Sequence, residues 1–90
     1  METIDLGNGV KCRIYANGDK HWYLHNKPHR TDGPAAEWAD GSKEWYLNDK
    51  LHRTDGPAIE NASGSKSWYI DGIQYSEEDW EQVKEVLWAV

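Results

Sequence analysis

The stretch His29–Ala35 reads HRTDGPA, and the same seven letters return as His52–Ala58, 23 residues further on. Repetition on this scale marks a structural unit built more than once, and the period extends beyond the heptad. Trp22, Tyr23 and Leu24 recur as Trp45, Tyr46 and Leu47, then as Trp68, Tyr69 and Ile70. Between these come short polar segments of one type: AlaAsnGlyAspLys at 16–20, AlaAspGlySerLys at 39–43 and AlaSerGlySerLys at 62–66. The third copy departs from the others after Gly72, because Tyr75 and Ser76 stand where His and Arg would recur.

Each unit reads as β structure. The aromatic and branched residues of WYL and WYI favour strands, and Asn17-Gly18 and Asp40-Gly41 are strong tight-turn signals. A strand over about 10–16, a turn, a strand over 20–25 and a longer HRTDG loop, repeated, predict an antiparallel meander of about six strands from three 23-residue repeats. In each loop the Gly-Pro pair sets the entry to the next strand. Gly33 and Gly56 are free to take positive φ, and Pro34 and Pro57 fix φ. Where the repeat fails, SEEDWEQVKEVLWAV reads as a helix over 76–90, with Ser76 as N-cap and acids in its first turn. Trp80, Val83, Leu87 and Val90 share one stripe of that helix, which is expected to cap the sheet. The 90 residues form one domain: a repeat meander over 10–75 and a capping helix over 76–90.

Composition narrows the function classes. A chain this short buries only around 60–65% of its unfolded surface, so its core is thin. Six Trp, five Tyr and no Phe mean that its large rings nearly all carry a polar atom needing a partner or water. The net charge of −6 argues against an electrostatic grip on nucleic acid or on an anionic membrane. That charge is concentrated: positions 71–90 carry Asp71, Glu77, Glu78, Asp79, Glu81 and Glu85 against Lys84 alone. The lone Cys12 has no internal disulfide partner, and no apolar run approaches the ~20 residues of a membrane helix. A cytoplasmic location is therefore expected, which is the host cytoplasm if a bacteriophage encodes the chain.

A turn Gly, then WYL, a polar turn, HR and DGPA at a period of 23 resembles the MORN repeat, especially divergent bacterial and bacteriophage variants. The resemblance covers about residues 10–75. It implies a meander of hairpins that serves as a binding scaffold rather than an enzyme. Lipid binding is attributed to some such arrays, and others occur in toxin-neutralising proteins.

The repeated heptad invites a catalytic or metal-binding reading, and geometry opposes it. Equivalent histidines in successive units lie two strands apart, roughly 10 Å, whereas two ligands of one zinc sit within about 3–4 Å of each other. The expectations are accordingly no catalytic residues, no metal and no cofactor. Arg30 and Arg53 are expected to pair with a neighbouring acid or carbonyl, and Asp32 and Asp55 to cap their turns. Alternation puts the Trp row on one sheet face, packed on the helix, and Tyr23, Tyr46 and Tyr69 on the other. The candidate binding residues are these three tyrosines, Arg30 and Arg53 on the loop rim, and Trp88 with Glu85 on the helix. The favoured function is a non-enzymatic protein-binding module, a small inhibitor or antitoxin-like protein that occludes a host or cognate protein. The alternative is a nucleic-acid or lipid binder using the aromatic face. A homodimer through an open sheet face is the further partner expectation.

Overall fold

The computed structural model describes residues 1–88 in backbone and 1–86 in side chains. Eleven strands and one helix follow in order: β1 (Glu2–Gly7), β2 (Val10–Ile14), β3 (Lys20–Leu24), β4 (Lys27–Pro28), β5 (Ala36–Glu37), β6 (Lys43–Glu44), β7 (Tyr46–Leu47), β8 (Lys50–Leu51), β9 (Ile59–Glu60), β10 (Lys66–Ile70), β11 (Ile73–Tyr75) and α1 (Glu77–Trp88). The fold is mainly β, antiparallel throughout, and ends in one helix. One path runs β1-β2-β3-β5-β6-β9-β10-β11, with β4 beside β3 and with β7-β8 forming a separate ladder.

The strand count exceeds the six expected, for two physical reasons. First, the segment between WYL and HRTDG is a hairpin, not a loop. His25 and Asn26 have φ of 51° and 66°, and Asn48 and Asp49 have 52° and 71°, the paired positive values of a type I′ turn. β3 folds back onto β4 and β7 onto β8 through these turns, β10 folds back onto β11 in the same way at Asp71 and Gly72 (φ 50° and 82°), and the strand expected over the second WYL is divided at Trp45 into β6 and β7. Second, Asn8 and Gly9, at 57° and 82°, make the same turn and add an N-terminal hairpin, β1-β2, before the expected start of the meander. Ala16-Asn17-Gly18 is a turn of a different type. Gly18 N–H reaches Tyr15 O and Tyr15 N–H reaches Asp19 O, both at 2.9 Å, with Gly18 at φ 100°. That is the three-residue loop closed by a left-handed glycine, and Gly41 and Gly64 repeat it at 96° and 97°.

Successive units are stitched by main-chain bonds that recur 23 positions on. Trp22 N–H donates to Ala35 O and Trp45 N–H to Ala58 O, at 2.7 and 2.8 Å. His29 and His52 N–H donate to Trp22 O and Trp45 O, both at 3.1 Å. Arg30 and Arg53 N–H then donate forward to the next unit, to Tyr46 O and Tyr69 O, again at 3.1 Å. Each HR dipeptide thus lies between its own WYL strand and the following one.

The molecule is a slab of 40 × 32 × 16 Å. Its surface of 5818 Å² exceeds the roughly 5,400 Å² of a compact chain of this mass. The buried apolar residues are Cys12, Ala35, Ala36, Ala58, Ile70 and Trp80, four of them small. At the far end Asp79 N–H donates to Ser76 Oγ at 3.1 Å, so Ser76 caps α1 as expected. α1 packs on β10 and β11 through Trp80, whose ring lies 6.5 Å from that of Trp68. Val83 is half-buried, while Val86 is 65% exposed. Of the expected apolar stripe, the Leu87 side chain and Val90 lie outside the described residues.

Candidate functional site

The repeated heptad builds a clamp on tryptophan. Arg30 Cζ stands 3.8 Å from the centre of the Trp22 ring, and Arg53 Cζ 3.7 Å from that of Trp45. The edge of each guanidinium is tied down. Arg30 Nε donates to Asp32 Oδ1 at 2.8 Å, and its Nη1 to Pro34 O and Glu37 Oε2, both at 3.1 Å. Arg53 repeats all three with Asp55, Pro57 O and Glu60, at 2.8, 3.0 and 2.8 Å. The planar fork is why arginine stands there, since lysine offers neither a flat face for the ring nor donors in two fixed directions. Gly33 and Gly56 serve close approach. A Cβ at either would lie 3.0 or 2.7 Å from the guanidinium carbon, and neither residue has positive φ, so the expectation of a left-handed glycine is corrected. Arg30 also holds the Asp32 carboxyl below the usual carboxylate range, first by the hydrogen bond and then by its charge.

The histidines hold turns. His29 Nδ1 accepts from Asn48 N–H at 2.9 Å, and His52 Nδ1 from Asp71 N–H at 3.1 Å, each fixing the type I′ turn of the next unit. An accepting Nδ1 places the ring proton on Nε2. The His52 Nδ1 to Asp71 Oδ1 approach of 3.4 Å is longer, and only the main-chain bond recurs at His29. Among the described residues no group of three His, Cys, Asp or Glu side chains is placed to hold a metal ion.

The Trp row differs from expectation. Its last member, Trp68, packs against Trp80 of the helix, because α1 lies chiefly against β10 and β11, and Trp22 and Trp45 are covered by arginines instead. These covers all lie on one side, since Trp and Tyr alternate along a strand. Tyr23, Tyr46 and Tyr69 lie half-buried on the other side. Around the first two stand residues that the sequence reading passed over. His21 packs edge-on against Tyr15 and Trp38, with centroids 5.3 and 4.6 Å apart, and stacks beside Tyr23 at 6.3 Å. Tyr15 and Trp38 are themselves 23 residues apart, so the period could have exposed them; Asn61 ends that row.

Together His21, Tyr23, Pro28, Trp38, Glu44 and Tyr46 line a hollow of about 160 Å³. His21 Nε2 is buried there without a partner, and its Nδ1 faces Tyr23 Oη at 3.4 Å. Burial, and then the Glu44 carboxylate whose Oε1 accepts from Tyr46 Oη at 3.3 Å, push the Tyr46 hydroxyl above its ordinary value. Tyr23 is raised too, by burial first and then by Tyr15, while Arg13 stands 4.7 Å over its ring. Tyr69 stands next along this row and is a lesser cause of the rise at Tyr46. Glu85 is exposed on α1, and the Trp88 side chain lies outside the described residues.

Fold and surface together define a flat antiparallel repeat sheet with one helix-capped end and one aromatic face. Comparison with protein-family models, curated proteins and solved structures found no match to this chain. No helix among the described residues is long and apolar enough to cross a membrane.

Proposed function

We propose that this chain is a non-enzymatic protein-binding module that works by occluding a partner protein, in the manner of a small inhibitor or antitoxin. The observation that carries this reading is the aromatic face around Tyr15, His21, Tyr23, Trp38 and Tyr46, opposite the face that the Arg loops and α1 cover. Aromatic rings with polar tips give large contact area with few rotors, and charge is sparse at the centre of such contacts. The sequence resemblance to MORN-type scaffolds supports the same reading. Arg30 and Arg53 are committed to Trp22 and Trp45, so their part in binding is to shape the loops rather than to reach the partner. The test is capture of partners on the immobilised full chain, compared with Tyr23→Ala, Tyr46→Ala and Tyr69→Ala of verified fold. Tyr46→Ala is expected to weaken the captured interaction by about 2 kcal/mol or more, with Tyr69→Ala close to the parent. Retained binding in all three variants would overturn the assignment to this face.

A further inference from the structure

One row of paired positions crosses the tyrosine side of the sheet: Arg13, His21, Ala36, Glu44, Ile59 and Ser67, each opposite the next. Paired positions share a face, so these side chains are neighbours. Within the row Arg13, Ala36 and Ile59 stand 23 residues apart, and so do His21, Glu44 and Ser67. The first set decides what lies beside each tyrosine. In the first unit Arg13 brings its guanidinium carbon 4.7 Å over the ring of Tyr23. In the third, Ile59, Asn61 and Ser67 take the places of Ala36, Trp38 and Glu44, so neither a second large ring nor a carboxylate faces Tyr69 there. The middle unit alone combines a small floor with both: the hollow of about 160 Å³ lies over buried Ala36, between Trp38, Glu44 and Tyr46.

The walls of this hollow suit a cation. Trp38 is braced edge-on by His21, and ring faces attract positive charge through their quadrupole. Glu44 spends one oxygen on the Tyr46 hydroxyl, and among the described residues no Lys or Arg lies within ion-pair reach of its carboxylate. Arg13 borders Tyr23 from β2 and does not line the hollow. An adjoining hollow shares Trp38 and Glu44 and adds Asp19 and Asp40, again without a basic residue. We infer that the hollow over Ala36 is a guanidinium site that takes an arginine side chain of the partner protein, laid on Tyr46 as Arg13 is laid on Tyr23 and paired with Glu44. Arginine fits better than lysine, because its flat group can cover a ring while its edge donates to a carboxylate. The chain itself uses that arrangement at Arg30, between Trp22 and Glu37, and at Arg53, between Trp45 and Glu60. The guanidinium chemistry stands on the hollow alone; that the group belongs to a protein rests on the function proposed above.

The test titrates the full chain, labelled with ¹⁵N, with the capped peptide acetyl-Gly-Arg-Gly-amide at constant ionic strength and follows it by two-dimensional NMR. Saturable shifts are expected at the Trp38 indole N–H and at the amides of Ala36, Glu44 and Tyr46. The same peptide with citrulline, the neutral isostere of arginine, is expected to give none. Glu44→Gln and Ala36→Ile are each expected to weaken binding about tenfold, the first by removing the charge and the second by filling the floor as Ile59 does. If Ala36→Ile does not fold, Glu44→Gln and the citrulline peptide decide. No saturable shift at tens of millimolar peptide overturns the inference. So do equal shifts from citrulline, and shifts as large at Glu77, Glu78 and Asp79, which mean general attraction to the acidic chain. Tighter binding of free L-arginine than of the capped peptide overturns the protein source and gives the site to a small molecule. Failure of the peptide while Tyr46→Ala still weakens capture of the partner sinks this inference and leaves the aromatic face standing. Binding of the peptide while all three tyrosine variants keep their partner sinks the protein-binding reading of the face, and the protein source with it.

Discussion

Arg53 lies between a tryptophan ring and a glycine, and each letter of its heptad but one has a contact to explain it. His52 holds the next turn, Asp55 pairs with the guanidinium, Gly56 leaves room for it, Pro57 lends its carbonyl, and Ala58 is 0% exposed with its carbonyl on Trp45 N–H. Nothing in the structure explains why Thr54 repeats Thr31. Substituting Gly56→Ala places a methyl 2.7 Å from Arg53 Cζ, and the flexible guanidinium yields by lifting off Trp45. A loss on the order of 1 kcal/mol is expected in urea denaturation, with a change in Trp fluorescence. A variant that unfolds with the parent would mean that the stacked clamp adds no stability. Asp32 gives a pH signature. Its folded pKa is depressed, so its contribution is present above the ordinary carboxylate range and is lost as pH falls through the folded value. Asp32→Asn should therefore flatten the acid side of the stability profile, as read by thermal melts across pH.

At the scale of the element, α1 stands in for a loop that the third unit lacks. Ser76 occupies the position of Arg30 and Arg53 in the repeat, and the cover it cannot supply to Trp68 comes four residues later from Trp80. Two substitutions separate the helix's own stability from its docking. Ser76→Ala removes the acceptor for Asp79 N–H and should cost about 1 kcal/mol. Trp80→Ala empties the site on Trp68 and strips Arg53 O of its donor, which should cost about 3 kcal/mol or more. Thermal unfolding followed by circular dichroism checks both. Were Trp80→Ala to melt like the parent, α1 would not be part of the cooperative unit.

Across the whole molecule the interactions are short in repeat terms. The side-chain bonds that cross between units span 19 or 20 residues, and the longest, from Trp80 to Arg53 O, spans 27. Stability in such a stack is close to a sum of units and neighbouring interfaces. Deleting residues 29–51 joins Pro28 to His52 and rebuilds the same sequence junction one unit shorter. That chain is expected to fold with the same dichroism shape and a lower denaturation midpoint. Complete loss of structure would show that the units depend on contacts beyond their neighbours.

What the sequence determined by itself was the period, the β class and the helix. Identical residues at a spacing of 23 impose identical local bonds, and a capped run of helix formers after the last strand needs no tertiary help to be recognised. The type I′ turns at His25-Asn26 and Asn48-Asp49 were obscured because neither pair contains glycine, and positive φ at such residues is held by contacts from the preceding segment of the chain: His25 N–H on Gly9 O, Asp49 N–H on Pro28 O and Asn48 N–H on His29 Nδ1. Asn8-Gly9 did carry its hairpin signal, yet the repeat drew the boundary at residue 10. The tertiary structure alone decided what covers each tryptophan. Arg30, Arg53 and Trp80 reach Trp22, Trp45 and Trp68 from segments 8, 8 and 12 residues away in sequence. That placement depends on the loops closing over the sheet, and strand alternation can give the face of a ring but not what lies upon it.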